Sequence, residues 1–99
     1  MSKKLKLPKI PSHVRVSPKE TFEVVFTDSF TDPRTVGEMR LDTKQIVIKN
    51  GQSESEIFKT YIHELLHLLS DTNDAKLTER QVGIMEKAIW RFLRLNNFI

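Results

Sequence analysis

The spacing of the apolar residues changes near residue 50, and this change limits the folds open to the chain. Before it, Phe22, Val24 and Phe26 alternate with the residues between them, a period of two that is typical of a strand with one buried face. After it, the segment "ESEIFKTYIHELLHLLS" has apolar residues nearly all round a helix. Strands followed by helices indicate an α+β domain.

Other patterns divide the strand region and the helical region further. "HVRV" predicts a short strand, and "EMRL" and "QIVIK" around "DTK" predict a hairpin. We therefore expect a small antiparallel or mixed sheet of three to four strands. Ser53 with Glu56, and Thr78 with Gln81, have the spacing of capping boxes. They predict one helix from residue 53 to the polar "SDTND" and a second over residues 79–95.

Charge and composition predict the domain organisation. Residues 1–19 contain six Lys or Arg and no acidic residue, which indicates a basic, partly flexible N-terminal arm before a single domain over residues 20–99. The chain has no cysteine, so a metal could be held only by histidine, carboxylate and water. No run of about 18 apolar residues and no apolar signal-peptide core is present, and we expect a cytoplasmic protein with no membrane contact.

The helix after residue 53 aligns two of the three histidines. At 100° per residue His63 and His67 lie about 40° apart, one turn from each other, so both imidazoles can reach one point. Glu64 lies on the same side. In the simplest alternative, each histidine is a core residue bonded to a carbonyl or a carboxylate. A shared metal would satisfy both rings at once.

The chemistry of zinc explains these residue types at this spacing. Zinc binds imidazole nitrogens, and a catalytic site keeps three protein ligands and one open position for water. Glu64, beside the metal, could act as general base on that water. The ligand set alone does not separate zinc from cobalt or nickel.

The third ligand has several candidates. We favour Glu79, which begins the second helix on the face shared with Val82 and Glu86. Gly83, one turn later, is expected to let the two helices approach closely. Glu86 either orients a ligand histidine or pairs with a cation from the strands. The other candidates are His13, Asp71 and Asp74.

The motifs resemble those of zincin metallopeptidases. "HELLH", "LTERQV", "GEMRLDTKQIVIKNGQ" and "RFLRLN" are similar to motifs of minimal gluzincin-like proteins, a family of metallopeptidase-like proteins of about a hundred residues from prokaryotes and phages. The resemblance covers roughly residues 20–97. It implies a zincin-like fold in which His63, His67 and Glu79 bind Zn²⁺ and Glu64 is the base. It also implies that the strand of Ile46, Val47 and Ile48 is an edge strand that binds an extended peptide substrate.

These observations support a zinc-dependent peptidase that hydrolyses peptide bonds with metal-activated water, acting on a peptide or protein substrate. The alternative is a non-catalytic or latent zinc-binding module that regulates or binds a partner. A protease of protein–DNA crosslinks is less favoured, since no helix-turn-helix or zinc ribbon is visible, and nucleic acid is not expected as a partner.

Overall fold

The computed structural model describes residues 6–99, and the first five residues of the basic arm lie outside the described part. Four strands precede two helices, which confirms the α+β prediction. In chain order the elements are β1 (His13–Ser17), β2 (Glu20–Thr27), β3 (Gly37–Arg40), β4 (Gln45–Lys49), α1 (Glu54–Thr72) and α2 (Glu79–Leu95).

The sheet is mixed, with the strand order β1-β2-β4-β3. β1 and β2 are antiparallel, β2 and β4 are parallel, and β3 and β4 form the predicted antiparallel hairpin. Lys44 in the hairpin turn has a φ of 54°, the left-handed conformation that tight turns require. The hairpin inserts β4 beside β2 and leaves β3 at the edge.

The position of β4 corrects one prediction. β4 pairs with β2 on one side and with β3 on the other, so the strand of Ile46, Val47 and Ile48 is not an edge strand. The three side chains are 0%, 2% and 0% exposed. Because their backbone groups are already paired and their side chains are buried, they cannot bind a substrate by strand addition. β3 is the edge strand on this side of the sheet.

The start of the domain also differs from the prediction. β1 lies within the expected arm, yet it pairs with β2, and Val14 and Val16 pack against the hydrophobic core. The boundary at residue 19 is therefore wrong for residues 13–17, which belong to the sheet. Alternating apolar residues in "HVRV" give this strand a buried side despite the basic residues around it.

One face of the sheet packs against α1 to form the core. Phe22, Val24, Ile46 and Ile48 contact Leu68, the only fully buried leucine of α1 in the described chain. The side chains of α1 that complete this core are Ile57, Tyr61 and Leu65. The core-facing stripe of α1 thus follows the helical spacing of residues 57, 61, 65 and 68.

The second helix packs against another face of α1. The ring centroids of Phe58 and Trp90 are 6.2 Å apart, and Val82 is fully buried. Because α1 contacts both the sheet and α2, it is apolar nearly all round. Neither helix within residues 6–99 combines the length and apolarity needed to cross a membrane.

Both predicted caps are present. Ser53 accepts a hydrogen bond from the Glu56 backbone N–H, and Thr78 and Gln81 form a reciprocal capping box. The expectation for Gly83 is wrong, because a Cβ placed there would have no atom within 4 Å. The two helices do not contact each other at this glycine.

Candidate metal centre

The helix α1 presents its two histidines side by side. Their ring centroids are 5.0 Å apart and the rings are nearly edge to face, at 61°. The His63 and His67 side chains are 20% and 23% exposed, so they line the surface of a groove rather than the core. The one-turn spacing and the burial of the opposite face of α1 fix this orientation.

Glu79 closes the arrangement from α2. Its Oε1 lies 2.6 Å from His63 Nε2, and its Oε2 lies 2.6 Å from His67 Nε2. Ligand atoms of these three residues all lie within 4.8 Å of one another, which forms one candidate metal site within residues 6–99. The Thr78 cap starts α2 immediately before Glu79 and so holds this carboxylate at the groove. The Glu79 side chain is 74% exposed, which leaves the site open to solvent.

The donor set fits a zinc ion. Tetrahedral zinc with bonds of about 2.0–2.1 Å separates its ligand atoms by about 3.3 Å. The present N···O separations of 2.6 Å are shorter than this, because the Glu79 carboxylate contacts both rings directly. The carboxylate and the two rings would therefore have to move apart to accept the ion. Two imidazoles and one carboxylate are also the ligand types of catalytic zinc sites.

Glu86 holds the other side of the His63 ring. Its Oε1 accepts a hydrogen bond from His63 Nδ1 at 3.0 Å, and both side chains are 20% exposed. Of the two roles considered for Glu86, the structure places it against the histidine and not against a cation from the strands. A proton held on Nδ1 leaves Nε2 as the nitrogen that can bind a metal.

The contacts between the histidines and the carboxylates shift the pKa values of His63 and Glu79. Burial lowers the pKa of His63, but hydrogen bonds to Glu86 and Glu79 and the charges of Glu79 and Glu64 outweigh it, so the pKa is raised. Burial raises the pKa of Glu79, but the hydrogen bonds and charges of His63 and His67 outweigh it, so that pKa is lowered. Both shifts favour the ion pair in the metal-free protein.

The side chain of Glu64 extends from α1 toward the edge strand β3. Burial raises its pKa against the opposing charges of His63 and His67. A carboxyl group with a raised pKa beside the two histidines is a candidate proton acceptor and donor. A Cβ built on Gly37 would lie 3.2 Å from Glu64 Oε2, so the absence of a side chain at Gly37 lets β3 approach this carboxyl closely.

The groove follows β3 along α1. On one side of the histidines it has a volume of about 380 Å³ and is lined by Thr35, Val36 and Gly37. On the other side it has about 340 Å³, and Met39 contributes to its lining. Glu64 lines both parts, so the groove passes His63, Glu64 and His67.

The backbone of β3 has a free side toward this groove. Lys49 N–H donates to the Val36 carbonyl at 2.9 Å, so this pair is hydrogen-bonded, and the pattern alternates along an antiparallel ladder. The N–H and C=O groups of Gly37 and Met39 therefore point to the free edge. β3 pairs only with β4 within residues 6–99.

Not every candidate joins the cluster. Asp71 and Asp74 line the groove beside His67, but they are not among the three clustered donors. His13 starts β1 at the opposite edge of the sheet, where it contacts Ser12. Glu79 is the candidate whose carboxylate reaches both histidines.

The sequence contains signals for the burial of β4 and for a close approach at Gly37, although not for which strand lies beside which. The uninterrupted apolar run "IVI" is typical of a strand buried on both faces, whereas "GEMR" mixes charged and apolar residues. The glycine at the start of β3 was a further signal, because glycine within a strand indicates close approach of another group.

Comparison with known proteins yields no relative: no protein-family model, no curated protein and no solved structure matches the chain. The function of the protein is therefore inferred from the geometry of this site.

Proposed function

We propose that the protein is a zinc-dependent peptidase that hydrolyses peptide bonds in extended segments of peptide or protein substrates. The observation that supports this most is the convergence of His63, His67 and Glu79 beside Glu64, in a groove bordered by a free strand edge. Zinc, when bound, supplies a Lewis acid that lowers the pKa of water to near 7 and polarises a carbonyl group.

The residues of the site have three further roles: metal binding, orientation of a ligand and proton transfer. His63, His67 and Glu79 hold the metal, and Glu86 keeps the His63 ring in the orientation and tautomer that expose Nε2. Glu64 accepts a proton from the attacking water and returns it to the leaving amine nitrogen. Burial raises the pKa of Glu64, which makes its protonated form a more persistent proton donor to the amine than an ordinary carboxyl group would be.

The edge strand β3 positions the substrate. A peptide that pairs with the backbone groups of Gly37 and Met39 extends the sheet by one strand and passes directly over Glu64. Because strand pairing uses only backbone groups, this contact favours extended chains without selecting side chains. As part of this proposal, the protein acts in the cytoplasm.

The test compares two Glu→Gln variants of α1 in a peptide-library cleavage assay read by mass spectrometry. Glu64→Gln removes the base, and cleavage should fall by about 100-fold to 10,000-fold while one zinc per chain is retained. Glu54→Gln, in the first turn of α1 and away from the histidines, should cleave at the wild-type rate.

The same assay can contradict the proposal. If the zinc-loaded protein cleaves no peptide, or if Glu64→Gln cleaves as fast as wild type, the peptidase proposal is wrong. Tight zinc binding without any cleavage would favour the alternative of a non-catalytic zinc-binding module. Loss of zinc binding in Glu79→Ala, measured as metal per chain, tests the ligand set separately.

A further inference from the structure

The groove beside the metal centre continues into a larger depression between α1 and α2. Glu56, Lys59 and Glu86 line both the groove next to His63 and this depression, which has a volume of about 580 Å³. We call its cationic part the basic groove. It consists of Lys59 and Lys87, Arg91 and Arg94, together with Trp90.

The basic groove has a net positive charge that the protein does not neutralise. Lys87, Arg91 and Arg94 are exposed, and no ion pair within residues 6–99 involves them. Of the two acids in the lining, Glu56 pairs with Lys59 at 3.5 Å and Glu86 accepts from His63. Three cations remain available for a negatively charged ligand.

Trp90 contacts two of the four cations of the basic groove, Lys59 and Arg94. Lys59 Nζ lies 4.7 Å from the centre of its ring and Arg94 Cζ lies 5.9 Å from it, both within cation–π range. Phe58 packs against the same ring. Since these contacts already occupy the indole, it is poorly placed to stack on a nucleic-acid base, which single-stranded nucleic acids would require. The basic groove is better suited to carboxylates.

The distance between the basic groove and the candidate metal centre determines how far from the cleaved bond such carboxylates would lie along the substrate. Trp90 follows Glu79 by eleven residues of α2, about 16 Å at 1.5 Å per residue. An extended peptide covers this distance in about five residues. We propose that the basic groove binds an acidic segment of the peptide substrate, about four or five residues to one side of the cleaved bond. This inference rests on the proposed function for the course of the substrate, and it names the substrate class.

Binding, rather than cleavage, is the primary test. The zinc-loaded Glu64→Gln protein is titrated into fluorescent peptides of one core sequence, with a block of three Asp or Glu on the N-terminal side, on the C-terminal side, or replaced by Asn and Gln. We expect one of the two acidic peptides to bind about tenfold more tightly than the neutral one. High salt should remove the difference.

Two double variants assign the effect to the basic groove. Arg91→Glu with Arg94→Glu should abolish the preference for the acidic peptide without changing the zinc content. Lys19→Glu with Lys44→Glu makes the same change in charge in two turns of the sheet, and it should leave the preference intact. All four positions are exposed, so neither variant should disturb folding, which circular dichroism would verify.

The outcomes separate this inference from the proposed function. Equal binding of all three peptides, or a preference unaffected by Arg91→Glu with Arg94→Glu, overturns the inference. Tighter binding of a single-stranded oligonucleotide than of either acidic peptide, lost in the same variant, also overturns it. If the acidic preference is found but wild type cleaves no peptide, the inference holds as a binding property and the peptidase proposal fails.

Discussion

At the scale of single residues, His63 contacts a carboxylate at each of its two ring nitrogens. Nε2 faces Glu79 at 2.6 Å and Nδ1 faces Glu86 at 3.0 Å. Because a carboxylate faces each nitrogen, the doubly protonated, positively charged form of the ring is stabilised. The proton on Nε2 occupies the position at which a metal would bind. Protons and zinc therefore compete for His63 Nε2, whereas Nδ1 keeps its proton in both states.

This competition predicts opposite pH dependences for stability and for zinc binding. The raised pKa of His63 contributes stability that is fully present below its unfolded value of 6.5 and is lost as the pH rises through the folded value. The lowered pKa of Glu79 contributes stability above its unfolded value of 4.5, and this is lost as the pH falls through the folded value. From these two groups the metal-free protein is most stable between about pH 4.5 and 6.5.

Urea unfolding of the metal-free protein at pH 6 and pH 9 measures the alkaline part of this effect. We expect the free energy of unfolding to fall between the two values, and to fall less in Glu79→Gln, in which His63 loses one partner. Zinc affinity should rise over the same range because the competing proton leaves. An equal loss of stability in wild type and variant would contradict this account of His63.

Gly37 is the second residue whose role is specific to its position. A Cβ there would lie 2.4 Å from Thr60 Cγ2 and 3.2 Å from Glu64, so Gly37→Ala should push β3 away from α1. We expect a loss of about 1–3 kcal/mol in the free energy of unfolding, together with reduced peptide cleavage.

Gly83→Ala is the matched control for this prediction. A Cβ at Gly83 meets nothing within 4 Å, and alanine is favoured over glycine inside a helix by about 0.5–1 kcal/mol. The variant should therefore be more stable than wild type by about that amount in urea unfolding. Destabilisation by Gly83→Ala to the same extent as by Gly37→Ala would show that the contacts of Gly37 are not the cause.

At the scale of elements, the metal centre depends on how α1 ends and α2 begins. The Ser70 hydroxyl accepts from the Leu77 backbone N–H at 2.8 Å, which ties the connection back onto α1. Thr78 then caps α2 and places Glu79 in its first turn. The proposed third ligand is thus positioned by a cap, while the two histidines lie in the middle of a helix packed on the sheet.

Removing each helix cap in turn tests this difference. Thr78→Ala and Ser53→Ala each remove one capping acceptor, and each should cost about 1 kcal/mol of unfolding free energy. Zinc affinity, measured by competition with a chromogenic chelator, should fall several-fold only in Thr78→Ala, since fraying there releases Glu79. Equal zinc affinities in the two variants would mean that the cap does not position the ligand.

At the scale of the whole molecule, the candidate metal centre joins the two helices, since two of its side chains lie on α1 and one on α2. α1 is anchored on the sheet by Leu65 and Leu68, while Trp90 of α2 packs against Phe58 of α1. A small domain buries a modest fraction of its surface, so a ligand that bridges two elements adds substantially to stability.

Zinc should therefore raise the free energy of unfolding, by about 2.7 kcal/mol at a free zinc concentration 100 times the Kd. Thermal unfolding with zinc and with a chelator would measure the increase. His67→Ala should abolish it, whereas His13→Ala, at the far edge of the sheet, should preserve it. An increase of the same size in His67→Ala would place the zinc elsewhere.

Much of the architecture follows from local patterns in the chain. Several features depend on residues within a few turns of one another, where helical geometry fixes the direction of each side chain. They are the two caps, the bounds of α2, the shared face of His63 and His67, and the face of α2 that begins with Glu79. These features are predictable from the sequence because each is decided over short separations.

The order of the strands is decided only by the tertiary structure. β4 joins β2 through pairs such as Glu23 with Gln45, 22 residues apart, and this pairing puts Ile46–Ile48 inside the sheet and β3 at its edge. Alternation shows which face of a strand is buried, but not which strand lies beside it. That choice depends on how the whole sheet covers α1, and it determines which backbone edge borders the metal centre.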